Sequence, residues 1–138
     1  KLGGPLADRI DIVLHIARPD PSLIIEGAEG LSTKELADIV RRGRAFRASR
    51  ERARGGPAQG SLSLESSLAP ALIDSEAREV MLEIAKRTNL TGRGIARLAR
   101  IARAIADLEE ADRVDVAHVL EASQLQGRRD VGGGYGQV

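Results

Sequence analysis

The feature that most constrains this chain is the run Thr91-Gly92-Arg93-Gly94-Ile95-Ala96-Arg97-Leu98-Ala99-Arg100-Ile101-Ala102-Arg103-Ala104-Ile105-Ala106-Asp107-Leu108. At 100° per residue, Ile95, Leu98, Ile101, Ala102, Ile105 and Ala106 fall on one side. Arg93, Arg97 and Arg100 fall on the other, with Arg103 at the margin. Such a sequence is committed to an amphipathic helix, with Thr91 as its N-cap. The helix needs partners that bury its aliphatic stripe, and the chain can offer only aliphatic ones. Aromatics make up 1% of the 138 residues, with Phe46, Tyr135 and no Trp. A core of Leu, Ile, Val and Ala suits helix packing better than a β-sandwich.

Three further helices are legible around it. Ser32-Thr33-Lys34-Glu35 forms a capping-box sequence, Ser32 at the N-cap and Glu35 at N3. It opens a helix with Leu36, Ile39 and Val40 on one face that runs through Arg54 to the stop Gly55-Gly56-Pro57. Gly43 inside it is expected to weaken or bend it. After Asp74 or Ser75, Ala77, Val80, Met81, Ile84 and Ala85 make an apolar stripe closed by Asn89, and Met81 reads as core. A last helix takes Asp115 as N-cap, with Val114 and Val119 as a hydrophobic staple. Residues 55–71 read as a loop with a short helical turn, and 127–138 as a disordered tail.

The start of the chain differs. Residues 10–16 are β-branched-rich and nearly continuous in apolarity, which reads as a buried strand ended by Pro19 and Pro21. No second β segment follows, and a lone strand has nothing to pair with. The expected architecture is therefore mainly α. A residual strand (1–17) from the end of an α/β core leads through a linker loop (18–31) to a four-helix module (32–126), with the sheet itself upstream of Lys1.

Several chemistries are excluded by residue type. Without cysteine there is no disulfide framework, thiolate zinc site or Cys nucleophile, and His15 and His118 alone make no metal centre. His118 reads as a packing or capping residue. Two aromatics cannot build a base-stacking surface. No G-x-x-x-x-G-K-S/T segment is present, so the chain cannot itself cradle a triphosphate and is not expected to act alone as an enzyme. No apolar run approaches the ~18 residues of a membrane span, and no signal-peptide pattern opens the chain. A soluble, cytoplasmic protein is the expectation.

Net charge is +1, yet of 21 basic residues only Lys1, Lys34 and Lys86 are lysines. Seven arginines (41, 42, 44, 47, 50, 52 and 54) stand against the single acid Glu51 within 41–54. A phosphate-binding face for DNA would recruit Arg41, Arg42, Arg44 and Arg47 first. Because the arginines are spread around the helix and form no stripe, a solvated face is the preferred reading.

The motifs also carry a resemblance. Gly3-Gly4-Pro5-Leu6-Ala7-Asp8-Arg9-Ile10-Asp11 resembles the G-P-L-L-D-R-I/F-D segment of magnesium-chelatase-like AAA+ ATPases. The run Leu90 to Leu108 resembles that family's L-S/T-x-R-x-x-x-R-I/V/L-x-R-V/I-A-R/K-T/A-I-A-D-L. Val114 to Ala122, with His118 and Glu121, resembles its V-x-x-x-H-V/I/L-x-E-A ending. Order and intervals hold over residues 1–126, and the competence-type branch is the nearest in pattern. The chain departs from the pattern after Arg93, where Gly94-Ile95-Ala96 stands in place of an aromatic or His. Glycines on both sides of Arg93 are expected to loosen its turn.

The resemblance implies the last core strand and helical lid of a ring-forming ATPase, with Walker A and B upstream. It implies ATP and Mg2+ in the full-length protein, none held by this chain alone, an upstream AAA+ core as partner, a homo-oligomeric ring (a hexamer), and DNA as the remodelled substrate. Arg93 matches the sensor-2 arginine that reaches the nucleotide phosphate; otherwise it is a solvated residue at a helix N-terminus, where the macrodipole disfavours a cation. Arg97, one turn on, is a weaker phosphate candidate. Arg9 matches an arginine finger; otherwise it pairs with Asp8 or Asp11. Two other classes compete: a non-enzymatic nucleic-acid-binding module using 41–54, and an interaction module docking a partner on Leu62, Leu64 and Leu68.

Overall fold

A computed structural model describes residues 10–14, 16–27, 30–54 and 72–126. The Arg9 assignment, the loop with Leu62, Leu64 and Leu68, and the tail lie outside the described residues. In chain order the helices among the described residues are α1 (Pro21–Ile25), α2 (Thr33–Ala53), α3 (Ser75–Arg87), α4 (Gly92–Leu108) and α5 (Val116–Leu125). The mainly helical architecture is as expected, and α2 to α5 are the four predicted helices.

Local chemistry starts each helix where the sequence signals it. The Ser32 hydroxyl accepts from Glu35 N–H at 3.3 Å, and the Glu35 carboxylate accepts from Ser32 N–H at 2.7 Å, closing the capping box of α2. Thr91 Oγ1 accepts from Gly94 N–H at 3.2 Å to open α4. Asp115 caps α5 by accepting from His118 N–H at 3.1 Å. At the end of α3, Asn89 adopts φ 49°, Leu90 N–H reaches Ala85 O and Asn89 N–H reaches Lys86 O. That is a Schellman closure, and Asn is one of the few residues suited to it. The end of α4 closes the same way through Glu110 at φ 58°.

The core lies between α3, α4 and α5. Ala77 and Met81 of α3, Leu98, Ala102 and Ala106 of α4, and Val119 and Ala122 of α5 are buried together. The staple residue Val114 joins them, and its backbone pairs in parallel with Ile73 (Val114 N–H to Leu72 O, Asp74 N–H to Val114 O). Among these helices α2 packs on α4. It approaches at Gly43: a Cβ there would stand 2.9 Å from Leu108 Cδ2, 3.1 Å from Leu108 Cα and 3.2 Å from Asp107 O. Gly43 is thus a contact point between helices, a role beyond the expected weakening of α2.

Three expectations are corrected. The described part of the predicted strand, residues 10–14 and 16–17, has no strand structure, because a ladder needs a partner and the described residues offer none. Within the predicted linker loop, Pro21–Ile25 is one short helix, with Pro at its first position and Asp20 Oδ1 accepting from Ser22 N–H at 2.9 Å. The predicted apolar face of α2 is not buried: Leu36 and Val40 are exposed, and Ile39 is half-buried. Among the described residues, no helix is long and apolar enough to cross a membrane.

Candidate functional site

The arginine side of α4 is the candidate site. Its residues recur every three or four positions, so the helix aligns Arg93, Arg97, Arg100, Arg103 and Asp107 along one side. The resemblance makes Arg93, and more weakly Arg97, phosphate ligands on this side, with a solvated position as the alternative for Arg93. The structure gives its members three different surroundings, because α2 and the segment around Asp11 cover most of it.

Toward the C-terminal end the side is closed. Arg103 is 1% exposed and Asp107 6%. The Asp107 carboxylate accepts from Arg103 Nε at 3.1 Å and from Arg50 Nε and Nη2, both at 3.1 Å. The remaining Arg103 donors reach Asp112 O at 2.9 Å and, by a short contact, Ala111 O. Burial pushes the Arg103 guanidinium below its ordinary value; the Asp107 charge opposes that shift and the Arg50 charge adds to it. This network bolts α2 onto α4 and onto the turn after α4, so it is structural. Arg50 therefore leaves the predicted solvated face of α2. Its role was hidden in sequence because its acid lies 57 positions away.

In the middle, Arg97 Nε and Arg100 Nη2 lie 3.1 and 3.6 Å from the same oxygen, Asp11 Oδ1. Arg97 is buried and Arg100 half-exposed. Asp11 belongs to the D-R-I-D opening and Arg97 to the arginine helix, so two of the three motifs of the resemblance meet here. Val13 N–H adds a bond to Leu125 O at the end of α5, 3.0 Å.

At the N-terminal end Arg93 is exposed in the first turn of α4. The turn is not left slack by its glycines. Thr91 caps it, the Gly94 Cα packs where a Cβ would be 3.3 Å from Leu90 atoms, and Gln126 Nε2 donates to Gly94 O at 2.7 Å. Arg93 is thus a solvent-facing cation on a turn tied to both its flanking loop and α5.

The α2 arginines are mostly committed to acids. Arg41 lies 2.8 Å from Asp38, Arg47 2.8 Å from Glu51 and Arg42 3.6 Å from Glu110. Arg44 is exposed beside Leu36, Ala37 and Val40 in an open groove. His118 is buried at N3 of α5: Nδ1 accepts from Asp115 N–H at 3.0 Å, and Nε2 lies 3.1 Å from Glu109 Oε2. It completes a reciprocal capping box, the capping role read from sequence. Among the described residues no group of three or more His, Cys, Asp or Glu is arranged to hold a metal ion.

No curated protein and no solved structure is similar enough to match the chain. A family profile described as "Magnesium chelatase, subunit ChlI C-terminal" matches residues 30–126, from the approach to α2 through the end of α5. That match spans most of the chain, covers the helices whose caps and stripes the motifs specify, and shows that the chain belongs to this magnesium-chelatase C-terminal family of AAA+ lid regions.

Proposed function

We propose that this chain is the lid and sensor-2 region of a magnesium-chelatase-like AAA+ ATPase, with Arg93 reaching the phosphates of ATP held by an upstream core. The observation that carries the reading is the meeting of Asp11 with Arg97 and Arg100. It ties the D-R-I-D segment, which in this reading ends the core, to the helix that bears Arg93. An exposed guanidinium on an anchored turn is suited to stabilising charge on a transferring phosphoryl group, since it needs little reorganisation when the nucleotide arrives. Mg2+ accompanies ATP in that core, in a homo-oligomeric ring. The competence-type resemblance supports DNA as the remodelled substrate.

The test is ATP turnover by the full-length ATPase. Arg93→Ala is expected to leave the lid's helical circular dichroism unchanged and to lower turnover ~10-fold or more, a transition-state effect of a kcal/mol or above. Arg52→Ala is the control, since Arg52 is exposed and bonded to its own helix at Ala48 O. Equal, small effects of both substitutions on turnover and nucleotide affinity reject the sensor assignment.

A further inference from the structure

Two guanidinium groups of α4 converge on one carboxylate oxygen, and the three groups differ sharply in freedom. The Arg97 side chain is 8% exposed, Arg100 44% and Asp11 55%. Arg97 is fixed on a packed helix, and a cation so desolvated is costly without an anion beside it. Asp11 sits on a segment with no regular structure, in which Ile12, Leu14 and Ile16 are exposed. Among the described residues, the backbone bond from this segment to the helices is Val13 N–H to Leu125 O. The two arginines are thus carried by a packed helix, and the carboxylate by a segment without regular structure.

We propose that Arg97 and Arg100 form an anion seat for a phosphate group and that Asp11 is its built-in occupant, displaced when a phosphate-bearing ligand enters. The Asp11 oxygen meets the two guanidinium groups as an ion pair, at 3.1 and 3.6 Å, and a phosphate oxygen in its place can accept charge-assisted hydrogen bonds from them. The phosphate also brings further oxygens and charge within reach of Arg93, one turn back on the same side of α4. The ligand class is a di- or triphosphate, free or as the tail of a nucleotide. Once displaced, Asp11 no longer pins residues 10–14, so Val13 leaves the end of α5. Phosphate binding is thereby coupled to release of the segment that precedes the helices. Only the identification of the ligand as ATP rests on the proposed function; the seat itself rests on Asp11, Arg97 and Arg100.

The experiment uses the 138-residue chain with inorganic tripolyphosphate as probe, followed by calorimetry at low salt and by amide hydrogen exchange at Val13. Asp11→Asn removes the competing charge and is expected to bind the probe ~10-fold tighter than the unaltered chain, the order expected of a charge-assisted bond no longer competed for. Adding Arg100→Gln to that variant should weaken binding by a similar factor; Arg100 is half-exposed, so the fold survives its loss. Arg97→Gln should weaken it at least as much where circular dichroism shows intact helices. The probe should also speed exchange at Val13 in the unaltered chain.

Unchanged affinity in Asp11→Asn overturns the proposal, as does absence of binding in both proteins. Binding that ignores Arg100→Gln but falls with Arg44→Gln assigns the probe to α2 and also overturns it. If Arg93→Ala alone abolishes binding while Arg100→Gln does not, the sensor reading stands and the seat falls. If the seat binds but Arg93→Ala leaves ATP turnover in the full-length protein untouched, the sensor reading falls and the seat stands.

Discussion

Asp107 joins α2 to α4, pairing with Arg50 of the first and Arg103 of the second. Among the described residues it is the acid placed between two buried arginines, and it accepts three hydrogen bonds from them. Removing it leaves Arg103, 1% exposed, and Arg50, 7% exposed, facing each other without a counter-charge. Breaking a buried pair from one side commonly costs roughly 3–5 kcal/mol. Asp107→Ala is therefore expected to destabilise the chain by about that amount in urea denaturation. Asp107→Asn keeps the volume and separates charge from packing, so a loss as large as that of the alanine variant assigns the effect to charge. Arg50→Ala should cost less, because Asp107 keeps Arg103 as partner.

At the scale of elements, the junction of α2 with α4 is set by Gly43. Alanine is the better helix former by up to ~1 kcal/mol, and in an isolated helix Gly43→Ala would be stabilising. Here the new Cβ would meet Leu108 Cα at 3.1 Å and Asp107 O at 3.2 Å, as well as Leu108 Cδ2. Backbone atoms cannot rotate aside as a side-chain tip can, so the helices must separate. Overpacking of this kind typically costs ~1–3 kcal/mol. The expected net outcome is destabilisation, read as a lower denaturation midpoint, together with loosened Arg50–Asp107 geometry. A stabilised variant would mean that α2 does not pack here in solution. The same junction shows why an isolated glycine in a helical pattern is ambiguous in sequence: its meaning depends on what approaches it.

Across the whole molecule, stability is unevenly distributed. The helices α3, α4 and α5 share the aliphatic core, whereas α2 is held at Gly43 and Arg50, and most of its first ten residues are exposed. Opening should therefore begin at the N-terminal half of α2. Acid should promote it. Hydrogen bonds from the Ser32 hydroxyl and then from the Ser32 N–H hold the Glu35 carboxyl below its ordinary value of 4.5. A group lowered on folding contributes stability above its unfolded value and loses it as pH falls through the lowered one. On acidification from the ordinary carboxyl value of 4.5 downward, amide protection in the first turn of α2 is expected to fall while the α4 amides remain protected. Simultaneous loss in both helices would show that α2 is not a separate unit.

By itself the sequence determined helices α2 to α5, their caps and the apolar stripe of the core, though not the short α1. Ser32 with Glu35, Thr91, Asn89, Asp115 with His118, and Ala77 with Met81 all act within four residues or one helical period, so their chemistry is local. The Arg93–Leu108 motif likewise marked the family before any contact was known. Tertiary structure alone decided what the arginines do. Arg93, Arg97, Arg100 and Arg103 look alike in the helical pattern, yet one is exposed, two share Asp11 and the fourth is buried with Asp107 and Arg50. The difference comes from α2 and the Asp11 segment folding back across the helix. Arg103 and Asp107 stand one helical turn apart, but the pairs made with Arg50 and with Asp11 span tens of residues, a distance at which no periodicity in the sequence reports the partner.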